Sequence, residues 1–152
     1  MPKRLRWYLK REPTAVTAVR HLFLRVVEAH LRERSPGASP RARLWAVSFV
    51  YHFGASLNRY LHCHGGILDG VFEPLEAGGV QCRQALALAP EGVAVIEAQV
   101  RRRVRRWFSR FGLLDPHDAR DLLAWASSGF SRDASVGIAG HDRAGLERLL
   151  RY

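Results

Sequence analysis

Two histidines, His62 and His64, are separated by a single residue inside a largely apolar segment that runs from Tyr60 to Gly70. Side chains at positions i and i+2 of a β-strand point to the same face. Two strand rises would set the two residues about 6.6 Å apart along the backbone, which lets both rings reach one divalent ion. Neutral imidazole is a common ligand of divalent transition metals. The pair therefore indicates a candidate metal site.

The spacing of the sequence does not specify a third ligand for this site. His52 lies on the preceding predicted strand, and Asp69 and Glu73 follow the histidines along the chain. Structural zinc sites are closed by four protein ligands, so a site with fewer ligands keeps open positions that suit catalysis. The alternative interpretation is a half-exposed strand face without a metal, because a His-x-His pattern also occurs by chance.

The residues next to the histidines allow more than one interpretation. Gly65 and Gly66 could form a local bulge, or they could let a phosphate or a neighbouring strand approach closely. Cys63 is expected on the opposite face from the histidines, in the core, as an inert small hydrophobe. Cys63 and Cys82 are the only cysteines, and neither belongs to a C-x-x-C pair. This usage fits a reduced cytosol rather than a disulfide scaffold.

The chain is strongly basic, with 24 Lys and Arg residues against 14 Asp and Glu residues and a formal net charge of +10. Six arginines fall in one predicted helix, and domains with clustered arginine usually bind polyanions. A solvated helix face is the alternative, but the net charge favours a surface that contacts DNA phosphates. Trp7 and Tyr8 are candidates for stacking on bases. The six arginines are Arg101, Arg102, Arg103, Arg105, Arg106 and Arg110.

Apolar periodicity and turn residues predict the elements that position these side chains. Helices are predicted over 14–34, 90–111, 115–125 and 142–152, with Gly112 ending the second and Asp115 and Asp142 capping the last two. Strands are predicted over 44–53, 59–68, 80–85 and, as a short segment, 135–138. Turns are predicted over 54–58 and at Asp69-Gly70. The pattern indicates one α+β domain, in which helices pack on an antiparallel sheet.

The chain resembles the rolling-circle insertion-sequence transposases, which carry an HUH nuclease motif, in that motif and in one segment near each end. Leu57-Asn58, Tyr60-Leu61-His62-Cys63-His64 and Leu68-Asp69-Gly70-Val71-Phe72 resemble that motif. The closing segment 142–152 resembles the tyrosine helix of the same family, and the segment 2–6 resembles a region near its start. The resemblance spans essentially the whole chain and keeps the segments in order.

The resemblance implies a fold, a reaction and a set of partners. The fold would be HUH nuclease-like, of the ferredoxin-like or palm-like kind. His62 and His64 would bind Mg²⁺ or Mn²⁺, and Tyr152 would attack a phosphate of single-stranded DNA at the transposon ends. The product would be a 5′-phosphotyrosine link and a free 3′-hydroxyl. Such a protein acts in the bacterial cytoplasm, at the nucleoid, without a membrane, and no apolar run of this chain reaches the length of a membrane helix.

Several positions depart from the family pattern. Arg148 occupies the place of the first tyrosine in two-tyrosine members, which assigns the chain to the single-tyrosine branch, and Tyr60 stands where members often have a histidine. Members carry a strand before the segment 2–6, a zinc-binding region before that strand, and further basic sequence after the tyrosine. We therefore expect 1–152 to be a single catalytic domain, truncated at both ends and missing an N-terminal strand.

Two rival hypotheses come from other functional classes. The first is a catalytically inactive basic remnant that only binds single-stranded DNA, and it needs the arginines but neither the histidines nor Tyr152. The second is a structural metal-binding protein, which requires a fourth protein ligand and a large loss of stability on chelation. The sequence indicates no particular oligomeric state.

Overall fold

The computed structural model describes residues 3–53, 59–114 and 137–150, and in these ranges helices cover one face of an antiparallel sheet. The sheet has three strands in the order β1-β2-β3, so β2 is central. The class is α+β, as the sequence predicts. The elements in chain order are α1 (Lys3–Arg11), α2 (Pro13–Glu33), β1 (Arg43–Phe53), β2 (Arg59–Pro74), β3 (Val80–Gln84), α3 (Pro90–Arg110) and α4 (Arg143–Leu150).

The long helices lie where the periodicity predicts them. Pro13 and Pro90 begin α2 and α3, at a position where a missing N–H costs no hydrogen bond. Gly112, with φ of 67°, follows the end of α3, as expected for a residue that stops a helix in the left-handed region. Asp142 caps α4, because its Oδ1 accepts a 2.8 Å hydrogen bond from the Gly145 N–H.

Some predictions fall on residues outside the described ranges, and one helix was not predicted. The turn over 54–58 and the helix over 115–125 lie outside the description. Of the short strand over 135–138, only Gly137 and Ile138 are described, and they do not form a strand. Helix α1 has Leu5 and Leu9 on one face, one turn apart, and both are buried. Within the described ranges, no helix is long and apolar enough to cross a membrane.

Strand β2 is longer than predicted, and the expected turn at Asp69-Gly70 is wrong. Both residues lie inside β2, where Gly70 pairs with Gln84 and the Asp69 carbonyl accepts a 3.0 Å hydrogen bond from the Ala85 N–H. A Cβ atom at position 70 would collide with the backbone carbonyl oxygen of Arg83. The glycine therefore permits a close approach between β2 and β3 rather than a reversal of the chain.

The sheet packs on the helices through one apolar cluster. Val71 of β2 is fully buried, and Leu44 of β1 packs against the same cluster. Helix α2 contributes Val26 and Val27, and α3 contributes Ile96. Because these residues come from both strands and both long helices, their burial holds the helical layer on one side of the sheet.

A second apolar cluster joins the helices to one another. Val104 and Phe108 of α3 are completely buried, together with Leu5 and Leu9 of α1 and Ala15 of α2. Each of the three helices thus contributes to a single contact region beside the sheet. This packing orients α3 with its apolar stripe inward, which leaves the opposite face of that helix in solvent.

Replacing Phe108 with alanine should lower the free energy of unfolding by about 3–5 kcal/mol, because it empties a fully buried site between α1 and α3. Urea unfolding followed by circular dichroism measures the change. Phe111→Ala is the matched control, since Phe111 is 59% exposed, and it should cost less than about 1 kcal/mol. Equal losses in the two variants would contradict this packing.

Gly70→Ala should destabilise the chain by about 1–3 kcal/mol, because the added methyl group forces β3 away from β2. Gly65→Ala, on the same strand, should change stability by less than about 0.5 kcal/mol, because its Cβ would meet its nearest atom at an ordinary 3.8 Å. The comparison uses the same urea titration. A neutral Gly70→Ala variant would show that the two strands do not approach as described.

Candidate metal and nucleic-acid surfaces

His64 lies on the central strand and points away from the helices. It pairs with Phe49 of β1, and its side chain is exposed. The next pair along the ladder, Cys63 with Val50, lies on the opposite face, where Val50 lines a groove with residues of α1 and α2. The face that carries His64 is therefore the one that the described helices leave uncovered, and it is called the open face below.

The ring of Tyr51 packs edge-on against the His64 imidazole, with ring centroids 5.2 Å apart. Tyr51 pairs with His62 in the backbone register, and cross-strand neighbours of this kind fix the orientation of the rings. The backbone places positions 62 and 64 on the same face of β2, as the sequence predicts. The side chains of His62, His52 and Tyr60 lie outside the description.

The three candidates for a third metal ligand are not equivalent. Glu73 lies on the helix-facing side, where Oε1 accepts a 2.8 Å hydrogen bond from the Ser39 N–H and Oε2 accepts a 3.1 Å bond from Arg83 Nε. Asp69 is exposed, where β1 and β2 shift register. Within residues 3–53, 59–114 and 137–150, no group of three or more His, Cys, Asp and Glu side chains could hold a metal ion.

The carboxylate of Glu73 is thus used to tie the loop before β1 to the sheet. Hydrogen bonds from the side chain and backbone of Ser39, and then the bond from Arg83, hold the pKa of Glu73 below its ordinary value. These bonds favour the ionised form. Glu73 serves the fold, and it does not reach the side of the sheet on which His64 lies.

Gly65 and Gly66 pair regularly with Ser48 and Val47, so the interpretation of a bulge at these glycines is wrong. The irregularities of the ladder lie between Leu44 and Ala46 and between Tyr51 and Phe53 instead. Neither does a strand press on Gly65, because a Cβ atom at this position would lie 3.8 Å from its nearest neighbour. A close approach by a phosphate remains a prediction for these positions.

Cys63 is on the expected face but not in the core, and its predicted burial is wrong. The side chain is exposed, because β2 at this point extends past the buried cluster that the helices cover. Its surroundings still remove enough water to raise the pKa of the thiol, an effect that outweighs the opposing positive charge of Arg20. A raised pKa means less thiolate, which agrees with the expected low reactivity of this cysteine.

The arginines of α3 do not form one uniform surface. Arg102, Arg106 and Arg110 are exposed, whereas the others are partly covered. Arg101 pairs with Glu97 at 2.6 Å, and the Nε atoms of Arg101 and Arg105 are buried without a hydrogen-bond partner among the described residues. The three exposed arginines lie at i, i+4 and i+8 and form a row along the helix, which is called the arginine row below.

The structure does not bring the arginine row and His64 together. The apolar stripe of α3 packs through Val104 and Phe108 onto the other helices, which turns the row away from that cluster and into solvent. His64 lies on the open face, on the other side of the sheet. The sequence predicts both features but contains no signal that one belongs to the helical layer and the other to the open face of the sheet.

The open face carries aromatic side chains that were not singled out from the sequence as functional. Trp45 is 61% exposed, and its ring packs edge-on against Phe72 of β2, with centroids 5.3 Å apart. Trp45 lies on the same strand as Phe49 and Tyr51, and these three alternate with Ala46, Ser48 and Val50. The alternation predicts a strand, but it does not tell which face the helices cover.

Of the two predicted stacking residues near the start, only one keeps an exposed ring. Trp7 is 52% exposed, and the guanidinium of Arg11 lies 4.1 Å from the ring centroid in a cation–π contact. Tyr8 is half-buried and packs against Phe108, with centroids 6.1 Å apart. Tyr8 therefore belongs to the contact between α1 and α3, and the prediction that it stacks on bases is not supported by its position.

Tyr152, the predicted nucleophile, lies outside the described residues, and α4 is described as far as Leu150. Comparisons with known proteins give no independent assignment: no family model, no curated protein and no solved structure matches the chain. The assignment to the transposase family therefore stays a prediction, which rests on the sequence motifs.

Glu73→Gln should weaken the dependence of stability on pH in the acid range. The pKa of Glu73 is lower in the folded state than in the unfolded state. The ionised carboxylate therefore stabilises the fold above the unfolded-state pKa, and this stabilisation is lost as the pH falls through the folded-state pKa. Thermal unfolding between about pH 6 and 3 measures this dependence. Glu76→Gln, at an exposed position of the β2–β3 connection, is the control. If Glu73→Gln left the pH dependence of stability in the acid range unchanged, the role given to this carboxylate would be contradicted.

Proposed function

We propose that the chain is part of an HUH-type DNA transposase, which nicks single-stranded DNA and transfers the strand in rolling-circle transposition. The observation that best supports this proposal is the placement of positions 62 and 64 on one face of the central strand, on the side that the described helices leave open. An exposed His64 on an open sheet is accessible to a long polymer, whereas an enclosed pocket would admit only a small substrate.

The chemistry assigned to Tyr152 is a transesterification. Its phenolic oxygen attacks the phosphorus atom, and the bond from phosphorus to the 3′ oxygen breaks. The phenol loses its proton to solvent, and the released 3′ oxygen takes up a proton from solvent to become a hydroxyl. One phosphodiester bond is exchanged for another, so the link can later be passed to a new 3′-hydroxyl without an external energy source. A free phenol has a pKa of about 10, so the reaction needs help at neutral pH.

His62 and His64 are the residues proposed to hold the divalent ion. When bound, the ion would neutralise charge on the scissile phosphate and stabilise the leaving oxygen. Imidazole nitrogen is a better donor for Mn²⁺ than for Mg²⁺, which prefers oxygen ligands. Glu73 is committed to Ser39 and Arg83, and Asp69 lies five residues from His64, about 16 Å along the strand. The remaining positions therefore fall to side chains that the structure does not describe, or to water and phosphate oxygens.

The aromatic residues of the open face suit the same substrate. Trp45 lies four residues before Phe49, the partner of His64, which corresponds to about 13 Å along the strand. A single strand that stacks a base on Trp45 or Phe72 would thus run along the sheet toward the histidines. Base stacking on an exposed ring contributes about 1–3 kcal/mol and does not depend on base identity.

The decisive experiment is the detection of a covalent protein–DNA adduct. The chain is incubated with Mn²⁺ and end-labelled single-stranded DNA, tiled from the flanks of the gene, and resolved on a denaturing gel. We expect an adduct that disappears in Tyr152→Phe and falls at least about 100-fold in the double variant His62→Ala/His64→Ala. Removing a residue that only supports a metal ligand already lowers activity about 10- to 100-fold, and removing the ligands themselves should cost more.

The control for the histidines is the double variant His21→Ala/His141→Ala, which removes two exposed imidazoles from other parts of the chain. It should form the adduct at the wild-type level. Adduct formation that survives the loss of His62 and His64 would exclude the proposed mechanism. Single-strand binding without any adduct would favour the alternative, a basic remnant that binds DNA and does not cut it.

A further inference from the structure

We propose that the groove between α1, α2 and β1 binds a small amphipathic anion, a carboxylate that carries an apolar tail. The groove is lined by Leu9 and Lys10 of α1, by one face of α2 and by Val50 of β1, and it is called the helix-side groove below. Its volume is about 290 Å³. It lies on the covered side of the sheet, away from His64, so the proposal does not depend on the function assigned to the open face.

The break between α1 and α2 forms the helix-side groove. Glu12, the residue between the two helices, has an extended backbone with φ of −115° and ψ of 95°, as expected for a residue before a proline. The two helices are therefore separate segments, and a gap remains between the end of α1 and the first turns of α2. One face of α2 forms a wall of this gap, through residues at i, i+3, i+4 and i+7: Pro13, Val16, Thr17 and Arg20.

The inner part of the helix-side groove is apolar and firmly held. Leu9 is buried in the cluster that joins the helices, and Val16 packs against the same cluster. Val50 adds an aliphatic side chain from the sheet. The volume of the groove corresponds to about ten water molecules at about 30 Å³ each, which is room for a ligand of about ten heavy atoms. Transfer of an apolar tail into this space is favourable, because it removes apolar surface from water.

The charge of the helix-side groove favours an anionic head group. Lys10 and Arg20 both line the groove, and among the described residues no carboxylate lines it or forms an ion pair with either of them. The neighbouring Arg11 is held against the ring of Trp7 instead. A guanidinium group matches the two oxygens of a carboxylate, and a nearby ammonium adds a second charge. Two cations beside an apolar floor therefore suit a molecule that has both a carboxylate and a tail.

The two cysteines provide a reporter of the groove and its internal control. Cys63 pairs with Val50 on the same face of the sheet, and the charge of Arg20 acts on its thiol, so an occupant of the groove would lie beside Cys63. Cys82 pairs with Phe72, whose ring packs against Trp45 on the open face. Both thiols are exposed. An occupant of the groove should therefore shield Cys63 from a thiol reagent and leave Cys82 unshielded.

The first measurement is the rate at which N-ethylmaleimide alkylates each cysteine, followed by peptide mass spectrometry with and without sodium octanoate. At ten times the dissociation constant about nine-tenths of the chain is bound, so Cys63 should react at least about five-fold more slowly, while Cys82 keeps its rate. Octanol at the same concentration should protect Cys63 less than about two-fold, because it lacks the charge that Lys10 and Arg20 bind. Sodium acetate, which lacks the tail, should not protect it.

The second measurement is the affinity of octanoate for variants, by isothermal titration calorimetry. Arg20→Gln should weaken binding at least about ten-fold, because a charge-assisted hydrogen bond is lost. Arg25→Gln, at an exposed position of the same helix outside the groove, is the matched control and should change the affinity less than about two-fold. Lys10→Gln should weaken binding at least about three-fold. Because Lys10 is exposed, this variant also provides the test if Arg20→Gln fails to fold.

Several results would overturn the proposal. Equal losses of octanoate affinity in Arg20→Gln and Arg25→Gln, or equal protection of both cysteines, would show that the anion does not bind in the groove. Protection of Cys63 by a higher protein concentration alone would assign the groove to a second copy of the chain. Displacement of octanoate by an oligonucleotide or by a polyglutamate peptide would assign it to a polymer. None of these results bears on the covalent adduct, so the two proposals can fail separately.

Discussion

The pairing of β1 with β2 is the constraint on which the rest of the structure depends. In this antiparallel ladder, Leu44 opposite Val71 faces the helices, and Phe49 opposite His64 faces away. A register slip of one residue would exchange the two faces, burying an imidazole and exposing the core. Ile67 packs against the helical cluster and belongs to the same regularly paired stretch as His64, so its packing fixes the exposure of His64. The position of the candidate site follows from packing on the other side of the sheet.

The described helices cover one face of the sheet, and this arrangement also decides which side of α3 can carry charge. Helix α3 must turn Val104 and Phe108 inward to complete the helical cluster, so its arginine row points away from that cluster into solvent. Trp45 and His64 lie on the open face, and Arg102, Arg106 and Arg110 lie on the helical layer. The separation of His64 and Trp45 from the arginine row is thus a direct consequence of a two-layer architecture.

The sequence predicts the long helices and the strands because their periodicity is itself the packing signal, as at α2, β1 and α3. The sequence does not predict features that are set by contacts with residues distant along the chain. The turn predicted at Asp69-Gly70 rests on local turn chemistry, whereas Gly70 is needed for the approach of Arg83. The burial predicted for Cys63 follows from its face, but no pattern reveals how far the helices extend over that face. The sequence does not predict helix α1, because its apolar spacing is limited to two turns.

The same limit applies to the candidate site. Spacing alone places residues 62 and 64 on one face, because strand geometry is local. Whether an acidic residue joins them depends on tertiary contacts, and Glu73 shows how such a candidate is lost: Ser39 and Arg83 already hold its carboxylate on the helix side. Strand spacing predicts the histidine pair, and charge predicts the arginine surface, each without reference to the other. Their relative placement is a tertiary property: His64 lies on the open face of the sheet, whereas Arg102, Arg106 and Arg110 lie on a helix of the layer that packs against the other face.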